Sequence, residues 1–242
     1  MKFAFSSRRV LLPDGLRPAA VLVEGERIAG IVDQSSIPTG FCLEDFGDLV
    51  IAPGVIDTHV HINEPGRTDW EGFETATKSA VAGGVTTLVD MPLNSSPVTT
   101  TVSALKAKRA AAQGQCWVDV GFYGGIVPGN LEHIEPLLAA GVLGLKAFLC
   151  HSGLDEFPAA TATDLQAAAP ILAKYDRPLL VHAELTNAPA PKPASANVEG
   201  SGMLKIVKDG KSVVERGAGD SVALMVNNSD RPTFARANTA SA

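Results

Sequence analysis

The chain has 242 residues, of which 45% are hydrophobic and 5% aromatic, and carries a formal net charge of −6. That length and mix suit a globular protein with one large core or two modest ones and exclude wholesale disorder. Lys and Arg are scattered through an acidic chain, so there is no basic stripe to neutralise phosphates, and nucleic acid is excluded as a partner.

The three cysteines, Cys42, Cys116 and Cys150, are widely spaced and odd in number. They fit neither a disulfide framework nor a cysteine metal site, which points to a reducing compartment, taken here as the cytoplasm. The opening MKFAFSSRRVLL has too short an apolar core for an export signal and lacks a small-residue cleavage site. No later window approaches a membrane span, so no membrane partner is expected.

Residues 1–51 mix short β-prone runs with turn signals at Pro13-Asp14-Gly15 and Glu24-Gly25. They predict a small β-rich lead-in without a helix. Residues 52–185 then alternate apolar runs with helical segments: VIAPGVIDTHVHI, VTTLVDM, WVDVGFY, LGLKAFL and PLLVHAE follow one another at intervals of about thirty residues. Continuous apolar strands spaced by helices indicate α/β architecture with a parallel sheet. Thr68 with Glu71 and Thr163 with Gln166 have capping-box spacing, and Gly83, Gly114 and Gly141 stand where helices would end. Five βα units are too few to close an eight-stranded barrel, so either the barrel is incomplete or the sheet is open.

Residues 186–202, rich in Pro, Ala and Ser, predict a linker. Within residues 203–242, MLKIVKDGKSVVER places two β-prone runs around Asp209-Gly210, a hairpin signal, and the rest reads as a tail.

The chemistry concentrates at the ends of the apolar runs. Along a strand, Asp57, His59 and His61 project to one side and Thr58 and Val60 to the other. A His-x-His pair at the carboxyl end of a parallel strand can present two neutral imidazoles to a metal, although a pair of hydrogen-bonded surface histidines fits the same spacing. Lys146 is a lone lysine in an apolar run, costly to bury unless neutralised, paired or modified, or unless it snorkels. His182 ends the fifth run. Taken together, separate strands bring four nitrogen-bearing side chains to one rim.

These motifs carry a resemblance. HINEPGRTDWEGF from His61, GGVTTLVDMPLNSSPVTT from Gly83 and KAFLCHSGLDEFP from Lys146 resemble the cyclic amidohydrolases of the amidohydrolase superfamily, and within them the allantoinases. Dihydroorotases usually carry an arginine two residues after the His-x-His pair, where this chain has Asn63. The resemblance implies a (β/α)8 barrel of the TIM type, here incomplete, with a small β-sandwich built partly from the N-terminal segment.

It also implies two divalent metals, zinc first, with iron, cobalt or manganese as alternatives. His59 and His61 would hold one metal, a carbamate on Lys146 would bridge the two, and His182 would hold the second. Asp57 would orient an imidazole through its outer N–H, and Asn94 would hydrogen-bond the ring amide of the substrate. The implied reaction is metal-assisted hydrolysis of a small cyclic ureide, allantoin to allantoate.

The chain departs from that pattern at two positions, the strand-six histidine and the strand-eight aspartate. Its histidines are 59, 61, 133, 151 and 182, so the family's strand-six histidine has no counterpart after the linker. His133 reads as solvated on a helix, and His151 lies just after the fourth run. Asp230, in NNSDRPTF, is a weak counterpart of the strand-eight aspartate that serves as base. The expectation is therefore an allantoinase-like enzyme impaired by truncation or by a replaced C-terminal third. The alternatives are a hydantoinase or dihydropyrimidinase, and a non-catalytic remnant that binds a metal or a partner. Open sheet edges also predict self-association.

Overall fold

A computed structural model of the protein describes residues 1–184 and two short strands further on, Lys205–Ile206 and Ser212–Val213. The linker at 186–202, the Asp209-Gly210 turn and Asp230 lie outside the described residues. The chain divides into two compact units, residues 1–54 and the remainder from Val55.

The first unit is a sheet. Strands β1 (Lys2–Leu12), β2 (Gly15–Glu24) and β3 (Arg27–Val32) form antiparallel pairs, and β4 (Cys42–Asp45) and β5 (Val50–Ile51) run parallel to β1. Both predicted turns form hairpins, with Leu12 opposite Gly15 and Glu24 opposite Arg27. Gly15 and Gly25 adopt φ of +117° and +59°, values an L side chain rarely tolerates. Ala4, Val10, Ala19, Ala20 and Leu22 are buried, while a 3-10 turn at Gln34–Ser36 is the only helical element described here.

The second unit is α/β, as the spacing of apolar runs predicts. In chain order it contains β6 (Val55–Val60), α1 (Phe73–Ala82), β7 (Val85–Asp90), α2 (Val102–Ala112), β8 (Asp119–Phe122) and β9 (Gly124–Gly125). Next come α3 (Leu131–Ala139), β10 (Leu145–Phe148), α4 (Ala162–Tyr175) and β11 (Leu179–His182), followed by β12 (Lys205–Ile206) paired antiparallel with β13 (Ser212–Val213). Strands β6, β7 and β8 pair in parallel, as do β9, β10 and β11. The segment Asp119–Gly125 joins the two ladders: Tyr123 donates its backbone N–H to Asp90, and Leu143 donates to Phe122.

Strand alternation sorts the core into two layers. Leu88, Leu145, Ala147, Leu179 and Val181 pack with Phe73, Leu105, Leu137 and Leu172 from the helices. The intervening residues Val89 and Leu180 join Met91, Phe148, Cys150 and Phe157 in a second cluster. Full burial of each large apolar side chain contributes about 1.5–3 kcal/mol. Lys146 lies between Leu145 and Ala147, so the period of two turns it away from the helices.

Helix boundaries differ from the predicted capping boxes. Gly72 is the N-cap of α1, and the Glu64 carboxylate accepts the Phe73 N–H at 2.9 Å, leaving Thr68 and Glu71 in the preceding turn. In α4 the box is Thr161 with Asp164, two residues earlier than Thr163 with Gln166. Thr161 has extended backbone while Thr163 is already helical, and a cap must stand outside the helix. Gly83 caps α1, while Gly114 and Gly141 lie just beyond α2 and α3 with positive φ.

Candidate metal centre

β6 delivers the two histidines. His59 is the last but one residue of the strand and is exposed; His61 lies one residue past its end and is half-buried. Their ring centroids are 5.4 Å apart. The loop beyond them is anchored from β7, because the buried Asp90 carboxylate accepts the Ile62 N–H at 2.8 Å. The Asp57 carboxylate accepts the main-chain N–H of His59 at 3.0 Å rather than holding an imidazole. A short acidic side chain reaches the amide two residues on more readily than a ring beyond it.

Although the residue as a whole is exposed, partial desolvation of its ring pushes the His59 imidazole below its ordinary pKa, and the charges of Lys146 and His182 add to the effect while Asp57 opposes it. For His61, burial leads, joined by His59, Lys146 and Lys108, and the pKa falls to about 4; a hydrogen bond with the Asn94 side chain works the other way. Both rings are thus neutral at physiological pH, the form that ligates metal. His61 Nδ1 is buried and has no hydrogen-bond partner among the described residues.

Lys146 is the second residue of β10 and is 2% exposed. Its amine lies 4.9 Å from the Phe148 ring centroid, and burial lowers its pKa to about 8. Among the described residues it joins no ion pair. His182 closes β11 opposite Phe148 in the register and stacks on that ring, with centroids 4.7 Å apart.

Asn94 sits on the loop after β7 at φ +79°, its carbonyl accepting from Arg67 Nη1 at 3.0 Å. Arg67 also approaches Glu156 at 3.6 Å, and Glu156 accepts from Ser96 Oγ at 3.3 Å. Three loops are thereby tied together beside the histidines. His151 faces solvent, 3.7 Å from Asp155, and His133 stands on α3, 3.7 Å from Glu132.

Sequence reasoning missed Asp90, Lys108, Arg67 and Glu64. The signal was present for the first: Asp90 interrupts the apolar run VTTLVDM much as Lys146 interrupts its own. Lys108 looks like an ordinary exposed helix lysine, and only packing reveals otherwise.

The chemistry of these residues suits a divalent cation: two neutral imidazoles, one with an orphaned buried nitrogen, and a buried lysine that joins no ion pair among the described residues. Residues 50–196 match the Amidohydrolase family. An allantoinase of Streptomyces avermitilis is 50% identical over 185 residues, covering 76% of this chain and 42% of that one. An allantoinase of Arabidopsis thaliana is 49% identical over 187 residues, with 74% and 37% covered. The solved structure of L-hydantoinase (dihydropyrimidinase) from Arthrobacter aurescens aligns with a TM-score of 0.68 at 33% identity, over 75% of this chain and 41% of that one. The chain spans about two fifths of the length of the curated relatives it matches.

Proposed function

Because the chain belongs to the amidohydrolase family, we propose that its second unit supplies five βα units of a (β/α) barrel and the metal-holding part of an allantoinase. The observation that carries this reading is Lys146, a lysine 2% exposed and without a carboxylate partner among the described residues, placed on a strand whose neighbour ends in His182. The half-identical allantoinases support the substrate class, a small cyclic ureide.

The family generally uses a binuclear metal centre with a carbamylated lysine. Here His59, His61, Lys146 and His182 would hold it. Divalent metal, zinc being the first choice, supplies Lewis-acid polarisation of a carbonyl and acidifies water.

The protein's own contribution begins with Lys146. With a pKa near 8, part of the amine is unprotonated at neutral pH. An unprotonated amine adds to carbon dioxide: the N–C bond forms, one proton leaves to solvent, and a carbamate anion replaces the ammonium. Phe148 fixes the plane of His182, and the Ile62–Asp90 hydrogen bond fixes the loop that carries His61. Asn94, whose main-chain carbonyl is held by Arg67 and whose side chain acts on His61, would hydrogen-bond a ring amide of the substrate.

Among the described residues no helix is long and apolar enough to cross a membrane. The free thiols of Cys42, Cys116 and Cys150 fit the cytoplasm. Val55 and Ile56, 57% and 51% exposed on β6, support self-association through that strand.

The test is conversion of allantoin to allantoate by the full chain supplied with zinc and bicarbonate, with hydantoin and dihydrouracil assayed alongside. Preferential turnover of allantoin supports the proposal. Faster turnover of hydantoin or dihydrouracil favours the hydantoinase alternative, and metal binding without turnover of any substrate favours a non-catalytic remnant.

A further inference from the structure

We infer that Cys150, His182 and Glu184 form a second, thiolate-containing cation site that draws on the same histidine as the proposed metal centre. The candidate ligand atoms of these three residues all lie within 4.8 Å of one another. The parallel register explains why. Phe148 pairs with His182, and the ladder continues as Leu149 donates its N–H to the His182 carbonyl at 3.0 Å. Two residues beyond Phe148 and two beyond His182, Cys150 and Glu184 then fall on the side of the sheet that carries the His182 ring.

The three groups differ in character, which argues against a mere acidic cluster. Cys150 is 7% exposed and a free thiol. The His182 ring is oriented by its stack on Phe148, and its Nε2 lies 2.9 Å from Glu184 Oε1. Glu184 stands at the solvent edge, with a side chain 69% exposed, and so leaves an entry path. Thiolate, imidazole and carboxylate are the donors that zinc and cobalt accept together, with a fourth position left for water. On binding, the Cys150 thiol gives its proton to solvent, His182 binds as the neutral ring and Glu184 as the carboxylate. The resulting charge of −2 balances the cation.

The two sites compete. His182 serves one arrangement at a time, so a thiophilic cation held by Cys150 withdraws His182 from the region of His59, His61 and Lys146. This site would therefore be inhibitory.

The experiment is cobalt(II) titration of the full chain in a thiol-free reductant, followed by absorption. A Cys42→Ser/Cys116→Ser variant leaves Cys150 as the sole thiol, so it tests the site without altering it. The expected result is a near-ultraviolet thiolate-to-cobalt charge-transfer band in that variant, persisting after His59→Ala and weakened by Glu184→Gln. Loss of the band on Cys150→Ser would complete the assignment. Absence of the band from the Cys42→Ser/Cys116→Ser variant overturns the inference. Cobalt bound without a thiolate band, in an amount reduced by His59→Ala, would overturn it while leaving the proposed function standing.

Discussion

Asp90 and Lys108 form an ion pair sealed from solvent, their side chains 0% and 1% exposed. The pair spans β7 and α2, and both partners make a second contact: Asp90 accepts the Ile62 N–H, and Lys108 donates to the Met91 carbonyl at 3.0 Å. Burial raises the Asp90 pKa and the lysine pulls it back. Removing one partner leaves an uncompensated charge in the core, at a cost of about 3–5 kcal/mol. Lys108→Met should lower urea-unfolding stability on that scale. The double variant Asp90→Asn/Lys108→Met should lose less than the sum of the single changes. Additive losses would show that the two side chains are not coupled.

Carbamylation at Lys146 makes metal retention depend on bicarbonate. The chain purified with bicarbonate and zinc should hold more metal than the chain prepared without carbon dioxide. Lys146→Arg keeps the positive charge but, with its guanidinium always protonated, has no free amine to add carbon dioxide. In that variant the bicarbonate dependence should vanish, as measured by elemental analysis of dialysed protein.

His61 gives the metal-free chain a pH-dependent stability. The unfolded chain takes up a proton at this residue near the ordinary 6.5, whereas the folded chain does so only at about 4. Below pH 6.5 the unfolded state therefore binds more protons, so stability falls as pH drops from 6.5 to about 4 and levels off beneath that. His61→Asn should remove this contribution. The check is the difference between wild-type and variant unfolding free energies across the window, in chelator; a constant difference would contradict the account.

Gly144 marks where β10 and β11 begin to pair. A Cβ added there would lie 2.7 Å from the Pro178 carbonyl oxygen, a backbone atom that cannot swing aside. That carbonyl also accepts the Leu145 N–H at 3.0 Å, at the start of the ladder that carries Lys146 and His182. Gly144→Ala should therefore destabilise the chain by about 1–3 kcal/mol, the usual range for overpacking. Urea unfolding measures it directly.

The strand positions were legible because a buried parallel strand must be apolar throughout, and all five runs in residues 52–185 coincide with strands. His59, His61 and His182 stood out because each is a polar residue at or near the end of such a run, and Lys146 because it interrupts one. The capping residues were misplaced because several Thr and Glu residues share the right spacing and only backbone geometry selects among them. The Cys150–Glu184 proximity depends on the register between β10 and β11, and the Lys108–Asp90 pair on where α2 packs. Neither is a property of a single segment.

The central claim is that His59, His61, Lys146 and His182 hold the metal. The most direct measurement is zinc content of the full chain, prepared with bicarbonate and dialysed, beside His59→Ala, His61→Ala, Lys146→Ala and His182→Ala variants checked for folding by circular dichroism. The account predicts bound zinc in the wild type and a marked loss in each folded variant. Zinc retained at the wild-type level in all four, or absent from the wild type, would contradict it.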